Sequence, residues 1–146
     1  MDKRLLKQAL DELYRKAEEA AGKDEIPISA MLLFPDGTSY LEANAVEKEN
    51  DPLAHAEMRV IQKAMKSRGR YLKDAVLLVS LEPCLMCLGA ILKAGIPELW
   101  YVLDDPKLGS LSHYHAFVDD VLRVHRVEDE RFEVLMKKTF SRLRKG

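Results

Sequence analysis

AVLLVSLEPCLMC, residues 75–87, joins an apolar run to a pair of cysteines through a proline. The apolar run over residues 75–81 is typical of a strand that is buried on both faces of a sheet. Pro83 then marks a helix start, and we predict a helix over residues 84–93 that ends at Gly95. A buried strand followed directly by a helix is the repeating unit of an α/β fold.

The segments on either side alternate between helical and strand patterns. Apolar residues recur three and four positions apart in the predicted helices and lie next to one another in the predicted strands. The chain before residue 75 predicts a helix, an antiparallel hairpin and a second helix, over residues 2–21, 26–34 paired with 38–44, and 54–67. The chain after residue 95 predicts a strand, a polar loop, a short strand and a final helix, over residues 99–103, 104–115, 123–127 and 129–143. This order implies a mixed sheet with helices on both faces.

The composition is typical of one globular domain over residues 1–146. The chain is 47% hydrophobic and 32% charged, which is too apolar for a disordered chain. No run approaches the roughly 18 apolar residues of a membrane span, and the charged amphipathic N-terminal helix is unlike a signal peptide. We therefore expect a cytoplasmic protein.

The net charge of −1 argues against a general affinity for nucleic acids, but the charges are unevenly distributed. Between Arg131 and the last residue lie six Lys or Arg residues and one acid, Glu133. A basic C-terminal segment on a mildly acidic body suits contacts with phosphates. It equally suits a solvated helix face with cations near its C-terminal end.

The candidate metal ligands of this chain are His55, Cys84 and Cys87. A Cys-x-x-Cys pair in an intracellular chain is metal-binding or redox-active more often than it is a structural disulfide. One imidazole and two thiolates supply three zinc ligands and leave the fourth tetrahedral position to water, which distinguishes a catalytic zinc from a structural one. We predict one Zn²⁺ per chain, held where two helix starts face one another across parallel strands at the carboxyl edge of the sheet.

Glu57, two residues after His55, is the candidate proton shuttle. Zinc lowers the pKa of a bound water toward about 7, and a nearby carboxylate can move protons while water adds to a carbon and an amine leaves. A non-catalytic zinc or RNA-binding module would have no use for this carboxylate. The other histidines are loosely spaced and are predicted to be surface residues rather than a second metal site, at positions His113, His115 and His125.

The two motifs, His55-Ala56-Glu57 and Pro83-Cys84-Leu85-Met86-Cys87, resemble the H-x-E…P-C-x-x-C signature of zinc nucleobase deaminases. With weaker matches over about residues 5–144, the chain is similar to the cytidine deaminase-like superfamily, and more narrowly to bacterial tRNA-specific adenosine deaminases. The resemblance implies a three-layer α/β/α sandwich around a mixed five-stranded sheet. It also implies a homodimer, and zinc-dependent hydrolytic deamination of wobble adenosine to inosine in a tRNA anticodon stem-loop, with release of ammonia.

The resemblance also assigns roles to single positions. His55, Cys84 and Cys87 would be the zinc ligands and Glu57 the proton shuttle. Asn44 would hydrogen-bond the base, although an Asn at the end of a strand is as often a turn residue. The remaining candidates are Ile28 and Ala56 for substrate binding, and Lys107, Arg142 and Arg144 for contacts with RNA.

The loop before Asp51 departs from the family pattern. Relatives usually carry basic residues there, whereas residues 47–50 read EKEN, which is net acidic and unfavourable beside phosphates. Residues 86–90, MCLGA, suit the guanine deaminases of the superfamily equally well. A deaminase of free guanine, or of cytosine or cytidine, therefore remains the alternative activity.

Overall fold

The computed structural model describes residues 1–145. The helices of this range are α1 (Lys3–Gly22), α2 (Val46–Glu49), α3 (Ala56–Arg68), α4 (Leu85–Ala94), α5 (Ser110–His113), α6 (His115–Val121) and α7 (Glu130–Lys145). The strands are β1 (Ser29–Leu33), β2 (Ser39–Ala43), β3 (Val76–Leu81), β4 (Glu98–Leu103) and β5 (Arg123–Arg126). None of these helices combines the length and the apolar character that crossing a membrane requires.

The strands form a single five-stranded sheet in the order β2-β1-β3-β4-β5. β1 pairs antiparallel with β2 and with β3, while β3, β4 and β5 are mutually parallel. Because β2 and β3 both run opposite to β1, they point in the same direction. The ends of β2, β3 and β4, at Ala43, Leu81 and Leu103, therefore share one edge, which we call the carboxyl edge.

Helices cover both faces of this sheet. α1 and α7 pack on one face, where Leu13 and Phe132 are buried. α3 and α4 pack on the other face, where Val60 and Ile91 are fully enclosed. The predicted α/β/α sandwich around a mixed five-stranded sheet is confirmed, and the elements predicted from the apolar patterns agree with the observed bounds to within three residues.

Two local expectations are wrong, and one short helix had no prediction. The polar loop predicted over residues 104–115 contains α5 and runs into α6, and the short α2 was not predicted. α5 and α6 bury single apolar residues, Leu111 and Val118, against the α3/α4 side of the sheet, so neither helix has an apolar period that the sequence could reveal. The second wrong expectation is that the two helix starts face one another across strands that are all parallel. The antiparallel β1 lies between β2 and β3, the strands that precede α3 and α4.

Candidate active site

Two helices begin at the carboxyl edge and supply the predicted metal ligands. His55 directly precedes α3, and Cys84 directly precedes α4, each with an extended backbone. Neither side chain caps its own helix, so both are free to point away from the helix end. Cys87 follows one turn into α4 and is buried.

The spacing of the three ligand atoms fits a tetrahedral zinc ion. His55 Nδ1 lies 3.8 Å from Cys84 Sγ and 3.6 Å from Cys87 Sγ. All three atoms lie within 4.8 Å of one another. Zinc–sulfur bonds of about 2.3 Å and zinc–nitrogen bonds of about 2.0–2.1 Å, at tetrahedral angles, require nitrogen–sulfur separations of about 3.6 Å. The donor set and its geometry therefore suit a zinc ion with one further position open.

The two cysteine side chains shift each other's pKa in opposite directions. Cys87 hydrogen-bonds Cys84, and this contact is the main reason that the pKa of Cys84 falls to about 5. The same contact, together with burial and the nearby Glu57 carboxylate, raises the pKa of Cys87. The lowered pKa of Cys84 favours the thiolate, which is the form in which cysteine binds metals.

Glu57 lies in the first turn of α3 and is 3% exposed. Burial disfavours its charged form and raises the pKa of Glu57 to about 7. A hydrogen bond with its own backbone and the charge of His55 act in the opposite direction with smaller effect. A carboxyl group with a pKa close to neutral can both accept and donate a proton.

A cavity of about 240 Å³ opens beside these residues. The substrate-binding candidates Ile28, Asn44 and Ala56 line it together with His55 and Glu57. Asn44 is 7% exposed, and its side-chain amide donates to the Ile26 carbonyl at 3.5 Å. The structure thus brings every candidate of the metal and substrate groups to one place.

Two buried carboxylates that were not predicted as site residues hold the walls of this cavity. Glu25 accepts the backbone N–H groups of Glu47 and Lys48 at 3.0 and 2.7 Å and so caps α2. Glu82 accepts three donors from the segment around Asp105 and Ser112. A charged residue that is buried must have hydrogen-bond partners, so its burial would indicate that it holds neighbouring segments in place. A single sequence does not show which charged residues are buried.

The basic candidates lie around the same edge. Lys107 is exposed and stands between Asp105 and Leu108, which line the cavity. Arg142 pairs with Asp24 at 2.7 Å and donates to the Ala21 carbonyl, so the end of α7 lies against the end of α1, just before β1. Arg144 is exposed one half-turn further on, where its Nε donates to the Phe140 carbonyl at 3.4 Å.

The remaining histidines have other surroundings. His113 Nε2 lies 2.8 Å from the Pro106 carbonyl, and His125 stacks on Trp100 with ring centroids 4.3 Å apart. His115 is exposed at the start of α6. Within residues 1–145, none of them belongs to a group of three close metal-ligating side chains.

The chain is similar to a known family and to proteins of known activity. The family model of the cytidine and deoxycytidylate deaminase zinc-binding region matches residues 2–103. A tRNA-specific adenosine deaminase of Streptococcus pyogenes serotype M1 is 35% identical over 123 residues, which cover 84% of this chain and 72% of that protein.

Solved structures give a consistent result. One from work on A-to-I editing by tRNA:A34 deaminases at the wobble position of transfer RNA has a TM-score of 0.74 and 35% identity, and the match covers 83% of this chain and 98% of that one. The guanine deaminase of Bacillus subtilis has a TM-score of 0.62 and 32% identity, with 80% of this chain and 70% of that one covered. The family expected from the two motifs is confirmed: this chain belongs to the cytidine and deoxycytidylate deaminase family of zinc-binding proteins.

Proposed function

We propose that this protein converts the wobble adenosine of a tRNA anticodon to inosine by zinc-dependent hydrolysis, with release of ammonia. The observation that carries the proposal is the buried Glu57 beside the His55, Cys84 and Cys87 cluster, at the wall of a cavity that is open to solvent. Likeness to a tRNA-specific adenosine deaminase at 35% identity supports the substrate. We further propose that residues 1–146 work as one domain, in the cytoplasm.

Each residue of the site has a distinct task in this reaction. His55, Cys84 and Cys87 hold zinc, which supplies a water nucleophile at neutral pH when bound. Glu57 accepts a proton from the attacking water and delivers a proton to the departing amine. Water adds to the ring carbon that carries the exocyclic amine, the carbon–nitrogen bond breaks, and ammonia and the inosine base are the products.

The cavity residues bind and orient the base. Asn44 hydrogen-bonds its edge, and Ile28 packs against its flat face. The N–H of Ala56 lies in the first turn of α3, where backbone donors have no partner within the helix, and Ala56 lines the cavity, so this donor is available to the substrate. A base that reaches this cavity has to leave its stack, which an unpaired anticodon loop allows at low cost.

The substrate is tested by incubating the zinc-loaded protein with an anticodon stem-loop that carries adenosine at the wobble position. Parallel reactions contain free guanine, cytosine, adenosine and cytidine. We expect inosine in the RNA and no ammonia from the small molecules. Ammonia from guanine alone would overturn the tRNA assignment and favour the alternative, which the acidic residue Glu47 at the cavity and the likeness to a guanine deaminase support.

Glu57→Gln tests the proton shuttle. The amide keeps the size of the side chain but cannot accept the proton, so we expect kcat to fall by about 10³-fold or more while the zinc content per chain stays unchanged. Glu128→Gln is the matched control, because the Glu128 carboxylate is 83% exposed in an ion pair with Arg126. A Glu57→Gln enzyme that retains full turnover would refute this mechanism.

Lys107, Arg142 and Arg144 are the proposed phosphate contacts. The end of α7 is placed at the active-site edge by the ion pair of Arg142 with Asp24, so Arg142 both positions the helix and adds positive charge. Lys107 and Arg144 are exposed.

Lys107→Ala and Arg144→Ala should each weaken RNA binding and reduce the slope of log K against log salt by about 0.7–0.9, the value for one lost phosphate contact. Arg142→Ala should weaken binding as well and also lower the melting temperature, since it loses an intramolecular ion pair. Arg4→Ala, at the start of α1 and far from this edge, serves as the control. If log K falls with log salt at the wild-type slope in all three variants, these residues do not contact RNA phosphates.

The homodimer remains a prediction, and we propose that the outer face of α4 forms it. Leu85 is 59% exposed there, beside Met86, Gly89 and Ala90, and the exposed Lys93, one turn after Gly89, is the single charged residue of α4. A Cβ added at Gly89 would meet no atom within 4 Å in the single chain. Burying such an apolar face against a second copy is favourable.

Light scattering should give a mass of twice the 16.6 kDa of one chain. Gly89→Glu should give the mass of one chain without lowering its stability, because the added side chain has room in the monomer and none in a close interface. A monomeric wild type would contradict the homodimer. A dimeric Gly89→Glu variant would exclude this face.

A further inference from the structure

Glu82 is a buried carboxylate that the proposed chemistry does not use. It is 2% exposed and lies at the end of β3, two residues before Cys84. Its Oε1 accepts the backbone N–H of Asp105 at 2.6 Å and the hydroxyl of Ser112 at 2.6 Å. Its Oε2 accepts the backbone N–H of Ser112 at 2.9 Å. All three donors belong to the segment that follows β4.

The same segment is fastened to the turn between β3 and α4. Ser110 donates to the Pro83 carbonyl with its backbone N–H at 2.9 Å and with its hydroxyl at 2.6 Å. Gly109 forms an isolated β-bridge with Cys84. A Cβ at Gly109 would collide with the Glu82 carboxyl group, so the segment packs directly onto this side chain.

This segment is also one wall of the active-site cavity. Asp105 and Leu108 line the cavity on one side, while Glu57 and Ala56 line it from α3. The hydrogen bonds that Glu82 accepts therefore help to set the position of that wall relative to Cys84, together with the contacts of Ser110 and Gly109. A substrate base that enters the cavity is held between this wall and the residues of α3.

We propose that Glu82 is a positioning residue for substrate: it holds the wall of Asp105 and Leu108 at the distance from the metal-binding turn that the base requires. The inference rests on the proposed function in that the cavity binds a base to be deaminated. It assigns no proton transfer and no metal contact to Glu82.

A carboxylate is the side chain that this position needs. Three donors converge on it, and a carboxylate offers only acceptors. A glutamine of the same shape would turn its amide N–H group toward at least one backbone or hydroxyl donor. Glu82→Gln is therefore a nearly isosteric variant that weakens the wall without creating a cavity.

Glu82→Gln is compared with Ser112→Ala, which removes a single donor, and with Asp36→Asn as the control. Asp36 accepts the Thr38 N–H at 2.9 Å and pairs with Arg68 at 2.8 Å, so it fixes a turn in a similar way. That turn joins β1 to β2 at the edge opposite the active site. The measurements on the zinc-loaded full chain are zinc content, hydrogen exchange of residues 103–113, melting temperature, KM and kcat.

We expect Glu82→Gln to retain zinc, to speed exchange in residues 103–113, and to raise KM about tenfold with kcat changed less than about threefold. Ser112→Ala should change KM in the same direction by about threefold, and the double variant should add little to Glu82→Gln. Asp36→Asn should lower the melting temperature and leave KM and kcat unchanged.

The proposal is overturned if Glu82→Gln behaves like Asp36→Asn, with a lower melting temperature and an unchanged KM. It is equally overturned if the backbone amides of residues 103–113 in Glu82→Gln exchange hydrogen at the wild-type rate. Loss of zinc from the variant, with an unchanged KM in the molecules that keep zinc, overturns it as well. Failure of the proposed function is a separate result. A wild type that deaminates only a free base refutes the tRNA substrate, and KM for that base then tests Glu82. If nothing is deaminated, the Kd for the anticodon stem-loop, which needs no turnover, takes the place of KM, and an unchanged Kd in Glu82→Gln overturns the proposal.

Discussion

The contact between His55 and Cys84 dictates how the helices and strands around the site must be arranged. These residues are 29 positions apart in the chain, yet His55 Nδ1 and Cys84 Sγ lie 3.8 Å apart. The contact requires α3 and α4 to begin at the same edge of the sheet. That in turn requires β2 and β3 to point the same way, which the antiparallel β1 between them ensures. The α/β/α layers keep this arrangement rigid by burying α3 and α4 against one face.

Around that contact the protein buries carboxylates with different partners. Glu57 has the raised pKa of a group whose charge is poorly solvated, as suits a residue that exchanges protons. Glu25 and Glu82 accept hydrogen bonds from several backbone donors each, as suits residues that hold loops in place. The same side-chain type is thus poorly solvated at one position and bonded to backbone donors at two others, and its hydrogen-bond partners distinguish these surroundings.

The predictability of this structure varied with the range of the interactions involved. Periodic apolar patterns located α1, α3, α4 and α7 and the strands, because burial of one face or both faces leaves a regular trace in the sequence. α5 and α6 left none, since each of these short helices buries only one apolar residue, Leu111 or Val118. α2 depends on the side chain of Glu25, which lies 22 residues before Glu47.

The residue types and spacings of two short motifs were enough to predict a zinc site at His55, Cys84 and Cys87, because metal ligands must be of particular types and Cys84 and Cys87 lie one helical turn apart. The walls of the cavity and the position of the basic end of α7 became apparent only in the folded chain. Glu82 contacts Asp105 and Ser112, 23 and 30 residues away, and Arg142 contacts Asp24 across 118 residues. Contacts between such distant residues form only when the sheet brings their elements together, so no local pattern encodes them.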